Sequence, residues 1–94
     1  MQESGNPTLE DFVLYKSPLC GFCFRVTRFL KQQGINMRMR DTMLDGGASE
    51  ELRSGGGRST VPCLRIQQND GSVHWMYESL DIVNYLTRWI NKQP

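Results

Sequence analysis

Four consecutive residues, Phe12-Val13-Leu14-Tyr15, constrain this chain more than any other feature. No polar residue alternates with them, so neither side of the segment can face water cheaply, and the pattern is that of a strand buried on both faces. Such a strand runs through the middle of a sheet whose two sides are both covered. Ser17-Pro18 ends it. A chain of 94 residues has room for one domain with one layered core. The reading is a single domain over 1–94, with residues 1–9 as a flexible N-terminal tail.

The remaining segments supply the covering layers. Gly21 to Gln33 carries Val26, Phe29, Leu30 and Gln33 at helical spacing, and Gly34 stands where helices commonly stop. Ile35, Met37 and Met39 alternate with Asn36, Arg38 and Arg40, which predicts an edge strand with one wet face. Asp45-Gly46-Gly47 predicts a turn. Ala48 to Ser54 predicts a helix of about two turns, ended by Gly55-Gly56-Gly57. Val61–Gln67 and Ser72–Tyr77 read as strands joined by a tight hairpin at Asn69-Asp70-Gly71. Ser79 to Asn91 is an amphipathic helix with Ile82, Val83, Leu86, Trp89 and Ile90 on its apolar side and Ser79 as its cap. The order is β-α-β-α-β-β-α. A strand, helix and strand make a right-handed parallel crossover, and the short hairpin makes the last two strands antiparallel. The predicted α/β architecture is one four-stranded mixed sheet flanked by three helices.

Several function classes are disfavoured by composition. A net charge of +1 offers no electrostatic case for nucleic acid or an anionic membrane surface. Apolar runs stop at four or five residues, against roughly 20 for a membrane-spanning helix. The first ten residues lack the basic start and apolar stretch of a secretory signal, so the expected location is cytoplasmic. Three cysteines do not form the even, dense set of a secreted disulfide framework.

Two of those cysteines, Cys20 and Cys23, stand at the head of the first helix. The N–H groups there lack intrahelical partners and the aligned peptide dipoles are positive, an environment that stabilises a thiolate. Cys20, nearer the helix end and solvent, is the expected nucleophile, with Lys16 as a nearby cation. Cys23, one turn further in, is the expected resolving thiol. Zinc is the competing reading, but a closed site takes four ligands, and only Cys63 and His74 remain to supply them. Thr60-Val61-Pro62 marks a strand start, and a cis Val61–Pro62 bond there would turn backbone outward to pair with an extended peptide. Tyr77-Glu78-Ser79 precedes the last helix. It reads as a helix cap or as a receptor for a charged terminus, with helix N–H groups and the Ser79 hydroxyl receiving a carboxylate and Glu78 an amine. Cys63, Trp75, Tyr85 and Trp89 read as core or half-buried residues, and His74 as a surface strand residue.

Taken together, LYKSPLCGFC, GRSTVP and their spacing resemble the dithiol branch of the glutaredoxin family, of the thioredoxin superfamily, over about Phe12 to Leu86. The resemblance implies the thioredoxin fold and an oxidoreductase that uses glutathione to reduce protein–glutathione mixed disulfides and disulfides. Cys20 and Cys23 would be its redox-active pair. Lys16, Phe22, Thr60, Val61, Pro62, Glu78 and Ser79 would bind the glutathione. The implied partners are glutathione and glutathionylated or disulfide-containing proteins, met by a monomer. The Cys-Gly-Phe form also resembles glutaredoxins that hold a [2Fe–2S] cluster between two protomers, with one cysteine from each and two glutathiones as ligands. Here Cys20 would be that ligand. The sequence departs from the family pattern in four places, one of them Cys63 directly after Pro62. Glycine stands where proline commonly follows the first cysteine, Lys16 lies four residues before Cys20, and Met76-Tyr77-Glu78-Ser79 is closer to the thioredoxin-like domain of glutathione transferases.

Overall fold

The computed structural model describes residues 7–93. Its strands are β1 (Phe12–Lys16), β2 (Arg38–Asp41), β3 (Cys63–Gln67) and β4 (Val73–Met76), and its helices are α1 (Gly21–Gln32), α2 (Gly46–Gly56) and α3 (Ser79–Asn91). The sheet order is β2-β1-β3-β4. β1 pairs with β2 in parallel and with β3 antiparallel, and β3 pairs antiparallel with β4. This is the predicted α/β thioredoxin fold, with β1 central and β2 at an edge.

Alternation along β1 divides the interior in two. Phe12 and Leu14 join Val26 and Leu30 of α1, Leu64 and Ile66 of β3, and Ile82 and Leu86 of α3 in the larger core. Tyr15 faces the other way and meets Ala48 and Leu52 of α2 together with Cys63. The Trp89 ring packs edge-on against Phe12 at 5.1 Å, and its indole N–H donates to the Pro7 carbonyl at 2.7 Å. His74 is exposed, as predicted.

The C-terminal end of the proposed tail differs from the prediction. Leu9–Asp11 form a 3-10 turn, in which the Thr8 N–H donates to the Asp11 carboxylate at 2.8 Å. The rest of the tail, residues 1–6, lies outside the described residues. β2 starts three residues later than the alternation predicts, because its register on β1 begins at Val13↔Arg38. Ile35 and Met37 pack on the larger core from the preceding loop instead.

Helix α2 is longer than predicted at both ends. Asp45 caps it, accepting from the Gly47 N–H at 3.0 Å and the Ala48 N–H at 3.4 Å. At the other end, Gly55 and Gly56 remain helical and Gly57 closes the helix with φ 91°, a left-handed conformation suited to glycine. Packing explains glycine inside the helix. A Cβ on Gly55 would fall less than 3.0 Å from the Trp75 ring, and one on Gly56 would strike the Tyr77 hydroxyl. The two strand-end aromatics therefore lie directly on helix backbone. Gly55→Ala gains about 1 kcal/mol in helix propensity, but overpacking a rigid indole costs about 1–3 kcal/mol. Its urea midpoint is expected to fall below that of the wild type, and a raised midpoint would contradict this packing.

Candidate active site

Sheet topology gathers the three motifs. β1 leaves the sheet at Lys16, and β3, running the opposite way, enters it at Cys63 beside Tyr15. The loop 17–20 and the segment Thr60-Val61-Pro62 therefore meet at one end of the sheet. β4 returns antiparallel to β3, which brings Tyr77-Glu78-Ser79 and the start of α3 to the same end.

Cys20 is the N-cap of α1, with extended backbone at φ −107° and ψ 113°. Its Sγ accepts the Cys23 N–H at 3.0 Å, so the sulfur takes the place a serine or aspartate oxygen occupies at other helix starts. On its other side it lies 3.5 Å from the Val61 carbonyl. The Val61–Pro62 peptide is cis. Cys20 is half-buried, whereas Cys23 and Cys63 are buried. Burial pushes the Cys23 thiol up to about 12, with its hydrogen bond to Cys20 acting in the same direction. Cys63 is also pushed up to about 12 by burial. It lies in the α2-side core beside Tyr15, away from the groove, as strand alternation predicts.

Val61, whose carbonyl Cys20 approaches, also lines a groove of about 380 Å³ that includes Phe22, Thr60, Pro62, Glu78 and Ser79. Six of the seven predicted glutathione contacts thus share one wall system. The seventh, Lys16, lies in a separate recess with Cys20 and Cys23, 3.5 Å from the Asp41 carboxylate. Asp41 is held below the usual carboxylate range by the N–H groups of Leu44 and Met43 and by Lys16.

The predicted cap on α3 is corrected. Glu78 is the N-cap, without a side-chain cap hydrogen bond, and Ser79 is the first helical residue. Once helical, its hydroxyl points into the groove and accepts from Arg25 Nη1 at 3.4 Å. The groove also contains Arg25, Arg58, Tyr77 and Leu80, none of them in the predicted contact set. Arg25 was detectable in principle, since it stands three residues after Phe22 on one helix face. Arg58 is held by tertiary contacts: the Tyr77 hydroxyl donates to its carbonyl at 2.8 Å and accepts its N–H at 3.3 Å. Its guanidinium stacks on the Tyr77 ring at 4.3 Å.

A half-buried cysteine that caps a helix and holds the N–H of a second, buried cysteine has the parts of a thiol–disulfide oxidoreductase. The Glutaredoxin family model matches residues 12–70, and the chain belongs to the glutaredoxin family. Among solved structures, the holo form of glutaredoxin C1 from Populus tremula x tremuloides is 25% identical, with a TM-score of 0.61 over 83% of this chain and 75% of that one. Thioredoxin-like protein BC3987 is 23% identical, with a TM-score of 0.62 over 83% of this chain and 97% of that one. Glutathione transferase Omega 3C from Trametes versicolor is 19% identical, with a TM-score of 0.68 over 97% of this chain but only 44% of the transferase. No curated protein sequence matches.

Two outcomes test the thiol environments. Brief alkylation near neutral pH is expected to label Cys20 alone in the folded protein and all three cysteines after denaturation, read by mass spectrometry. Labelling of native Cys63 would contradict the burial described. The raised thiols favour the folded chain while protonated, so their contribution holds below the ordinary value of 9.0 and is lost as pH rises through about 12. Urea stability is expected to fall over that alkaline window, and to fall less steeply in Cys63→Ala.

Proposed function

We propose that the chain is a glutathione-dependent thiol–disulfide oxidoreductase with Cys20 as nucleophile and Cys23 as resolving thiol. The observation that carries this reading is the position of Cys20. Its sulfur caps α1, accepts the Cys23 N–H and lies 3.5 Å from the carbonyl of Val61, a residue that lines the groove formed with Pro62 and the start of α3. Glutathione lies along Thr60-Val61-Pro62, pairing with backbone as a short added strand. Its γ-glutamyl ammonium meets Glu78, and the adjoining carboxylate meets Ser79 and the first N–H groups of α3. The glycine carboxylate meets a cation, Lys16 or, from inside the groove, Arg58. Phe22 forms an apolar wall.

In the reaction, the Cys20 thiolate attacks the glutathione sulfur of a protein–glutathione disulfide. That disulfide bond breaks, the protein sulfur leaves as a thiolate and takes a proton, and Cys20 becomes joined to glutathione. A second glutathione thiolate then attacks this new bond, releasing Cys20 and oxidised glutathione. Alternatively, Cys23 loses its proton and attacks Cys20 Sγ, which expels glutathione and forms the Cys20–Cys23 disulfide. Two further glutathiones reduce that disulfide. The high-lying Cys23 thiol keeps its proton until this step, which favours release by external glutathione when glutathione is abundant.

A [2Fe–2S] cluster would find one half-exposed thiol per chain, Cys20, because Cys23 and Cys63 are buried. It would take Cys20 from each of two copies and two glutathione thiolates. The side of Gly21 that a Cβ would occupy is open. Thiol exchange is nevertheless the conclusion, because Cys23 is already seated against Cys20.

Turnover of a small glutathione mixed disulfide, with glutathione as reductant, provides the test. Cys20→Ser is expected to reduce it to the uncatalysed rate, and Cys23→Ser to retain substantial activity. Wild-type activity in Cys20→Ser would refute the reading.

A further inference from the structure

Helix α1 carries Arg25, Arg28 and Lys31 but no aspartate or glutamate. Arg25 and Arg28 are three residues apart and so lie on one side of the helix. Among the described residues, neither forms a salt bridge with a carboxylate. Both border a second groove of about 340 Å³ between α1 and α3, together with Phe24, Phe29, Gln32 and Val83. Among the described residues, no acidic side chain borders it. A helix face that merely meets water does not ordinarily display large apolar groups, yet Phe24 is 64% exposed within it. Leu19 at 82%, Phe22 at 62% and Leu80 at 60% continue the apolar surface around Cys20. Arg25 also borders the cis-proline groove, so the two grooves share a wall residue.

We propose that the α1–α3 groove docks an acidic segment of the protein that carries the disulfide, with an apolar side chain against Phe24 and carboxylates on Arg25 and Arg28. The inference rests on the redox reading above and names the substrates that site prefers: proteins whose reactive cysteine is flanked by acidic and apolar residues. Charge complementarity selects the occupant, since two cations that have no carboxylate partner among the described residues border Phe24, Phe29 and Val83. Unpaired arginines repel a basic partner and attract an acidic one at long range, so the preference appears in association rate and weakens with salt.

The test compares three disulfides: a glutathionylated peptide with glutamate and leucine beside its cysteine, the same peptide with glutamine for glutamate, and a small glutathione mixed disulfide. For the wild type, kcat/KM for the acidic peptide is expected to exceed that for the glutamine peptide by roughly tenfold at low salt, and the two to converge at high salt. Arg28→Glu is expected to remove the preference, Arg28→Lys to keep most of it, and neither to change turnover of the small disulfide. Equal rates on the two peptides in the wild type, or equal slowing of all three disulfides by Arg28→Glu, would overturn the proposal. If the wild type turns over none of the three, the redox reading fails. The docking claim is then decided by fluorescence anisotropy, using labelled acidic and glutamine peptides with serine for cysteine. Tighter acidic binding that Arg28→Glu abolishes keeps the claim, and equal binding of both peptides ends it.

Discussion

The burial of one five-residue strand governs this molecule. β1 is paired along both edges and covered on both faces, so its alternation is locked. A slip of one residue would carry Phe12 and Leu14 from the α1–α3 core to the α2 side and Tyr15 the opposite way. With β1 held in place, the chain must leave the sheet beyond Lys16, and the antiparallel β3 must enter at that same end. The nearness of Cys20 to Val61 follows from this pairing, across 41 positions of sequence.

The segment before the cis-proline needs its own support, and the aromatics of β4 and its exit supply it. Trp75 and Tyr77 lie against the glycine backbone that ends α2. Tyr77 then reaches both backbone polar groups of Arg58 with one hydroxyl. A helix end, a strand exit and the loop entering β3 are thereby joined two residues before Thr60. Positioning of this kind is what a thiol-exchange site requires, because a displaced loop would alter the approach to sulfur.

Much of this was legible in the sequence. The periodicities of β1, α1 and α3 follow from burial of one or both faces, and those elements appear nearly where predicted. The Cys20, Pro62 and Ser79 motifs meet because their order and the Asn-Asp-Gly hairpin leave little topological choice. The differences between pattern and structure have physical causes. α2 extends through Gly55-Gly56, residues that locally favour a helix stop, because distant aromatics occupy the space their side chains would fill. Ile35 and Met37 alternate like a strand but pack on the core from a loop, and pairing with β1 begins only at Val13↔Arg38. The sequence reading makes Ser79 the cap, whereas the cap is Glu78 one residue before it, a distinction that depends on whether backbone dihedrals are already helical.

The sequence by itself determined the element order, the central strand, and which cysteine heads a helix, because local periodicity and helix-end chemistry are written in neighbouring residues. Only the tertiary structure decided which cations share a groove. It separated Lys16 from the cis-proline groove, brought Arg25 and Arg58 into it, and left Arg28 beside Phe24 on an adjoining face. Those placements depend on how helices and loops from distant parts of the chain pack against one sheet, and spacing along a single chain carries no measure of that.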